Sequence, residues 1–230
     1  MHQNVYIEKK SGLKYLKHIS QNSKKAVFLM HGYGASMYDL YDLYSVIEMG
    51  ESCDWYFPHG HLALGGQFGA LAASWFPIDM VELERCMSQG IHRNFEDIYT
   101  PEFNDAVEIL KTFVLEISEK YESISIGGFS QGAMLSSHLM NHVGTKLNSV
   151  FLFSGNLIGK KELLKSIDQN LSFNIFQSHG IQDPVLGFEG AEKLKNLLLD
   201  HNKKIKFESF KGGHEIPMQA INSLNSFLNN

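Results

Sequence analysis

The residues Gly128-Phe129-Ser130-Gln131-Gly132 form a Gly-x-Ser-x-Gly pattern that suits a serine to nucleophilic attack. A serine on a sharp turn from strand to helix is held in a strained backbone conformation, and glycine on either side leaves room for the neighbouring chain. The strain exposes Oγ. The helix that follows points its N-terminal N–H groups at negative charge developing beside the serine. This composition yields on the order of 0.2 such matches by chance, so context must carry the motif. Ile124-Ser125-Ile126 reads as a strand before it, and a helical pattern follows from Gln131.

A serine nucleophile on such a turn needs an acid and then a histidine later in the chain, each at the C-terminal edge of a parallel sheet. Ser178-His179-Gly180-Ile181-Gln182-Asp183-Pro184 puts Asp183 in a loop leaving a strand, and Lys211-Gly212-Gly213-His214-Glu215 puts His214 between flexible glycines and a helix start. Asp168 and Asp200 compete for the acid, but one precedes its strand and the other lies near a helix end. His201 sits beside Asp200. His179 is upstream of the acid and is expected to support the loop rather than transfer protons. A lone loop aspartate is ordinarily a turn-former; order and placement together single out Ser130, Asp183 and His214. The pairs His59/His61 and His138/His142 have no third ligand of evident geometry, so no metal is expected. Gly65, Gly66 and Gly69 do not open the strand–helix unit that a phosphate loop requires.

These residues need a scaffold that brings strand ends together. Lys25–Met30 is a continuous apolar run, as in a strand buried on both faces of a parallel sheet. It ends in the turn His31-Gly32-Tyr33-Gly34-Ala35-Ser36, followed by a helical pattern over Met37–Glu48. Before it, Val5–Ile7 and Leu13–Ile19 suit an antiparallel edge hairpin. Asp54–Pro58 reads as another strand. Thr100-Pro101-Glu102 is an N-cap, a first-turn proline and an early carboxylate; Phe103, Val107, Leu110, Val114, Ile117 and Tyr121 follow at helical spacing. Strands at 149–153, 173–177 and 204–210 alternate with helices at 131–141, 160–166, 188–201 and 215–230. The alternation predicts an α/β fold, with a mostly parallel central sheet and helices on both faces.

From Trp55 to Ile78 the chain has no Asp, Glu, Lys or Arg. Its glycines and prolines interrupt any membrane-spanning helix. The stretch at about 58–78 is expected to be an apolar, hinge-rich loop whose Leu64, Phe68, Leu71, Trp75 and Phe76 either pack inward or form a lid over an apolar substrate. With 230 residues and no low-complexity linker, one domain over 1–230 is expected. The net charge of −5 argues against a nucleic-acid partner. The N-terminal residues lack the pattern of a signal peptide, so the two cysteines, Cys53 and Cys86, are expected as reduced thiols in a cytoplasmic protein.

Gly-Phe-Ser-Gln-Gly at 128–132, His-Gly-x-x-Asp-Pro-Val at 179–185, Gly-Gly-His-Glu at 212–215, His-Gly-x-Gly at 31–34 and Ser-Trp-Phe at 74–76 together resemble the acyl-protein thioesterase/carboxylesterase (lysophospholipase-like) branch of the α/β-hydrolases. The resemblance spans Met30 to His214. It implies the α/β-hydrolase fold, Ser130 as nucleophile, His214 as general base and acid, and Asp183 as orienting carboxylate. It also implies an oxyanion hole from the backbone N–H groups of Tyr33 and Gln131, and a mobile lid-like loop bearing Trp75. Relatives usually carry aspartate where Ala35 and Pro77 stand. The expected activity is cofactor-free hydrolysis of small esters, thioesters or acylated proteins. Alternatives are lysophospholipid hydrolysis with transient membrane-surface contact, and an acyl-chain binder without turnover. A homodimer is compatible with each.

Overall fold

The computed structural model describes residues 4–167, 171–201 and 203–229; Asp168, weighed above as an acid, lies outside them. The strands are β1 (Tyr6–Ile7), β2 (Lys14–His18), β3 (Lys25–Met30), β4 (Cys53–Pro58), β5 (Leu62–Ala63), β6 (Ala73–Ser74), β7 (Ser123–Phe129), β8 (Leu147–Phe153), β9 (Asn174–Gly180) and β10 (Lys204–Phe210). The α-helices are α1 (Met80–Ser88), α2 (Pro101–Ser118), α3 (Gln131–Leu139), α4 (Lys160–Ser166), α5 (Phe188–Asp200) and α6 (Met218–Leu228).

Eight strands form one sheet in the order β1-β2-β4-β3-β7-β8-β9-β10. β1 and β2 make the antiparallel edge hairpin, β2 pairs antiparallel with β4, and every pairing from β4 to β10 is parallel. Alternation within the inner strands explains their unbroken apolar runs. Ala26, Phe28 and Met30 of β3 join a cluster with α2, α3 and α5 on one face, whereas Val27 and Leu29 join Ile221 and Leu224 of α6 on the other. The sheet is therefore covered on both faces. Thr100 caps α2 as its sequence predicts, its hydroxyl accepting the Phe103 N–H at 3.2 Å.

Topology places the functional loops. From β3 the chain proceeds to β4 on one side; from β7 it proceeds through β8, β9 and β10 on the other. The crevice between the ends of β3 and β7 is the switch point at which α/β sheets bind ligands. Parallel strands bring residues 31–36, Ser130, Asp183 and His214 to this one edge.

Four sequence expectations change. The expected α-helix over 37–48 is replaced by turns around a short 3₁₀ helix at Tyr41–Ser45. The aromatic residues recur there at Tyr38, Tyr41 and Tyr44, a spacing of three, which matches the 3₁₀ repeat rather than 3.6. The stretch at 58–78 contains a hairpin in which β5 pairs antiparallel with β6. His179 lies within β9 and not in the loop after it. The last helix begins at Met218, because Pro217 caps it in extended conformation. Among the described residues no helix is long and apolar enough to cross a membrane.

Candidate active site

Ser130 joins β7 to α3 with φ 55° and ψ −116°. A non-glycine residue on that side of the Ramachandran map costs on the order of 1–3 kcal/mol, and the surrounding packing holds it there. A Cβ at Gly128 would lie 2.5 Å from the Met30 carbonyl oxygen, and one at Gly132 only 2.1 Å from the same oxygen. Only glycine lets β3 pass this close to the turn. The Ser130 N–H donates to the Phe153 carbonyl at 2.9 Å, which ties the turn to β8.

The three residues inferred from chain order meet here. His214 Nδ1 lies 2.7 Å from Asp183 Oδ2, and His214 Nε2 lies 2.8 Å from Ser130 Oγ. A carboxylate only accepts, so Nδ1–H donates to Asp183 and leaves Nε2 as acceptor for the serine hydroxyl. The His214 ring also packs 4.8 Å from that of Phe129. Asp183 is buried, and its Oδ1 accepts the N–H groups of Val185 at 2.8 Å and Leu186 at 2.9 Å. Burial alone would raise its pKa; hydrogen bonds from His179, His214 and Leu186 outweigh that and hold the carboxyl well below the usual carboxylate range.

His179 is fully buried, its Nε2 2.7 Å from the Leu186 carbonyl and 3.3 Å from Asp183 Oδ2. The loop support expected from sequence thus extends to the carboxylate itself. His92 was missed by sequence reasoning. Its Nε2 donates to the Asp183 carbonyl at 3.0 Å across 91 residues, and no local pattern signals such a contact.

On the opposite side of the serine, a Cβ at Gly32 would lie 3.3 Å from Ser130 Cβ, so the loop after β3 abuts Ser130. Among the described residues, no protein acceptor takes the backbone N–H of Tyr33 or Gln131. His31 braces this loop: its Nδ1–H donates to Gly32 O at 2.7 Å and its Nε2 accepts the Gly60 N–H at 2.9 Å. Burial pushes its imidazole pKa down to about 4, consistent with a neutral ring that donates at one nitrogen and accepts at the other. The loop also adds to the hairpin. Gly34 N–H donates to Ala73 O at 3.0 Å, and Ala73 N–H to Ala35 O at 2.9 Å. Position 35 therefore contributes its carbonyl, which alanine supplies as well as aspartate.

The five lid candidates divide. Trp75 and Phe76 are buried in the core; the Trp75 indole N–H donates to His31 O at 2.9 Å, so both residues anchor the segment and do not form a mobile cover. This corrects the expected lid bearing Trp75. Leu64 is half-buried in the hairpin, whereas Phe68 and Leu71 are 38% and 59% exposed. Phe68 touches the 31–36 loop, with its ring 3.4 Å from a Cβ built at Gly34 and edge-on to Tyr33 at 5.8 Å. His138 is buried against Ile158 O, and among the described residues no three His, Cys, Asp or Glu side chains cluster as a metal site.

Comparison with known proteins agrees with this architecture. Residues 15–230 match the phospholipase/carboxylesterase family model. The chain is 28% identical over 203 residues to acyl-protein thioesterase 1 of Debaryomyces hansenii, covering 83% of each protein. It is 30% identical over 138 residues to the Candida albicans protein of that name, covering 56% of this chain and 60% of the relative. Among solved structures, esterase PE8 superposes with a TM-score of 0.74 at 23% identity, covering 94% of this chain and 96% of that one. A Mesorhizobium loti carboxylesterase also gives 0.74, at 16% identity and 99% coverage of both. At these identities the structural likeness speaks for the fold. Together with the match over residues 15–230, it establishes that the chain belongs to the phospholipase/carboxylesterase family, enzymes of the α/β-hydrolase fold.

Proposed function

We propose that this protein hydrolyses carboxylic esters and acyl thioesters by two-step acyl transfer at Ser130. The observation that carries this reading is the continuous hydrogen-bonded series from Ser130 Oγ through His214 to Asp183. His214 Nε2 takes the hydroxyl proton as Oγ attacks the acyl carbonyl, and returns it to the departing alkoxide or thiolate. Water then attacks the acyl-enzyme by the same route in reverse. Asp183 keeps the proton of the neutral imidazole on Nδ1 and stabilises the imidazolium as it forms. The N–H groups of Tyr33 and Gln131 serve as donors to the tetrahedral oxyanion, the second aided by its place at the start of α3.

Thioesters enter this reading because the curated relatives bear the name acyl-protein thioesterase. The chain acts as one catalytic domain, with Phe68 of the hairpin, which touches the 31–36 loop, as its substrate-facing apolar residue. Ser130→Ala should lose about 10⁴–10⁶-fold in kcat on nitrophenyl butyrate. A fluorophosphonate probe should label wild-type Ser130 and spare the variant. Near-normal turnover by the variant would overturn the mechanism, and an unlabelled wild type would favour the acyl-chain binder instead.

A further inference from the structure

A second concave region lies away from the triad. A cavity of about 590 Å³ opens between the β1–β2 turn, the turn at Met37–Tyr38 and the 58–71 stretch; Ser130, Asp183 and His214 do not line it. Its volume falls within the range of small-molecule sites, about 300–1,000 Å³. Leu13, Met37 and Leu71 supply apolar walls, and Lys14, His59 and His61 supply nitrogen donors; no aspartate or glutamate lines it.

The polar groups share one preference. Among the described residues Lys14 forms no ion pair. His59 Nδ1 accepts the Met37 N–H at 3.4 Å, which leaves Nε2–H as a donor. Burial and then the Lys14 charge hold the His59 pKa below its ordinary value, and burial does the same at His61. The cavity thus carries one uncompensated ammonium beside two imidazoles. Of the carboxylates acting on these imidazoles, Asp39 is engaged by Ser36 and Asp105 belongs to α2. An anion with an apolar tail would pair with Lys14 and cover the exposed Leu71.

We propose that this cavity binds the carboxylate of a single-chain fatty acid, with its head at Lys14 and His59 and its tail along Leu13, Met37 and Leu71. Such an acid is the product class of the acyl transfer proposed above, and the inference rests on that reading for the ligand's origin. The cavity wall reaches the catalytic loop by main-chain bonds. Ala63 pairs with Ala73, which bonds Gly34 and Ala35, and His59 bonds Met37. A bound acid therefore acts on turnover without competing for Ser130.

The test is calorimetric titration of the full chain carrying Ser130→Ala with sodium decanoate, with decanol as the uncharged control. One equivalent of decanoate should bind, and decanol at least about tenfold more weakly, the ordinary worth of one charge-assisted contact. Lys14→Glu should weaken decanoate by about tenfold or more and Lys14→Arg should retain it, with thermal melting confirming that both fold. On active enzyme, decanoate should lower kcat for nitrophenyl butyrate and leave KM unchanged. Absent binding, equal affinity for decanol, an unaffected Lys14→Glu variant or purely competitive inhibition would each overturn the proposal. Because the titration uses the Ser130→Ala chain, its result stands apart from whether the wild type turns over esters.

Discussion

Gln131 fastens Trp75 to the Ser130 turn: its side-chain Oε1 accepts the Trp75 N–H at 2.8 Å, and its Nε2 donates to the Phe76 carbonyl at 2.7 Å. The residue whose main-chain N–H is proposed to face the oxyanion also anchors the segment that covers this edge of the sheet. Gln131→Ala leaves a buried donor and a buried acceptor unpaired. At roughly 1–3 kcal/mol for each group, urea unfolding should show a loss of about 2–5 kcal/mol. Gln131→Glu keeps the acceptor but turns a carboxylate toward Phe76 O, so it should not restore stability. Wild-type stability in both variants would rule the clamp out.

Trp75 gives an independent test of anchor against lid. Because it is fully buried and donates to His31 O, Trp75→Ala should cost about 3–5 kcal/mol in unfolding free energy. A surface lid residue would cost little, so an unchanged urea midpoint would contradict the buried placement.

Asp183→Asn keeps an oxygen available for the Val185 and Leu186 N–H groups but offers His214 an amide where it needs an acceptor. The imidazole then takes the wrong tautomer for accepting the Ser130 proton. A drop of about 10⁴ in kcat is expected on a nitrophenyl ester. A loss under tenfold would mean that the carboxylate does not orient the base.

His179 should be separable from the triad itself. His179→Leu removes one of the two imidazoles at Asp183 Oδ2. The carboxylate becomes more basic and holds the imidazolium at position 214 more firmly, which moves the acid limb of kcat/KM to higher pH. His179→Gln, with a donor near the original Nε2, should restore the profile. A variant that merely loosens the loop would lower kcat without moving the limb.

Acid should unfold this protein through two buried histidines. Burial depresses His31 and His138 to about 4, so each folded ring resists protonation that the unfolded chain accepts near 6.5. Their stabilisation is complete above about pH 6.5 and is lost as pH falls toward 4. By pH 5 the linkage amounts to about 2 kcal/mol for each. Urea unfolding between pH 7 and 4.5 should show this decline, and His138→Phe should shrink it by about half. A pH-independent unfolding free energy over that range would refute neutral burial.

Much of this was legible because it depends on short-range chemistry. Lys25–Met30 declared a doubly buried strand through its unbroken apolar run, Thr100-Pro101 declared a helix start, and glycines at 128 and 132 declared a turn where a neighbouring strand must pass close. Chain order then selected Asp183 and His214. Over residues 37–48 the helical expectation failed because apolar spacings of three and of four both occur in a short window, with the spacings of three prevailing.

What the sequence by itself determined was the set of turns and strand ends that carry Ser130, Asp183, His214 and the 31–36 loop, since each is written in neighbouring residues. Apart from His179, the side chains that support them were decided by the tertiary structure alone. His31 meets Trp75 across 44 residues, Gln131 meets Trp75 across 56, and His92 meets Asp183 across 91. It also turned Trp75 from a lid candidate into an anchor and left Phe68 and Leu71 at the surface. Local patterns fix the direction in which a segment is apolar, but the partner that covers it is set only when the parallel strands bring distant loops to one edge.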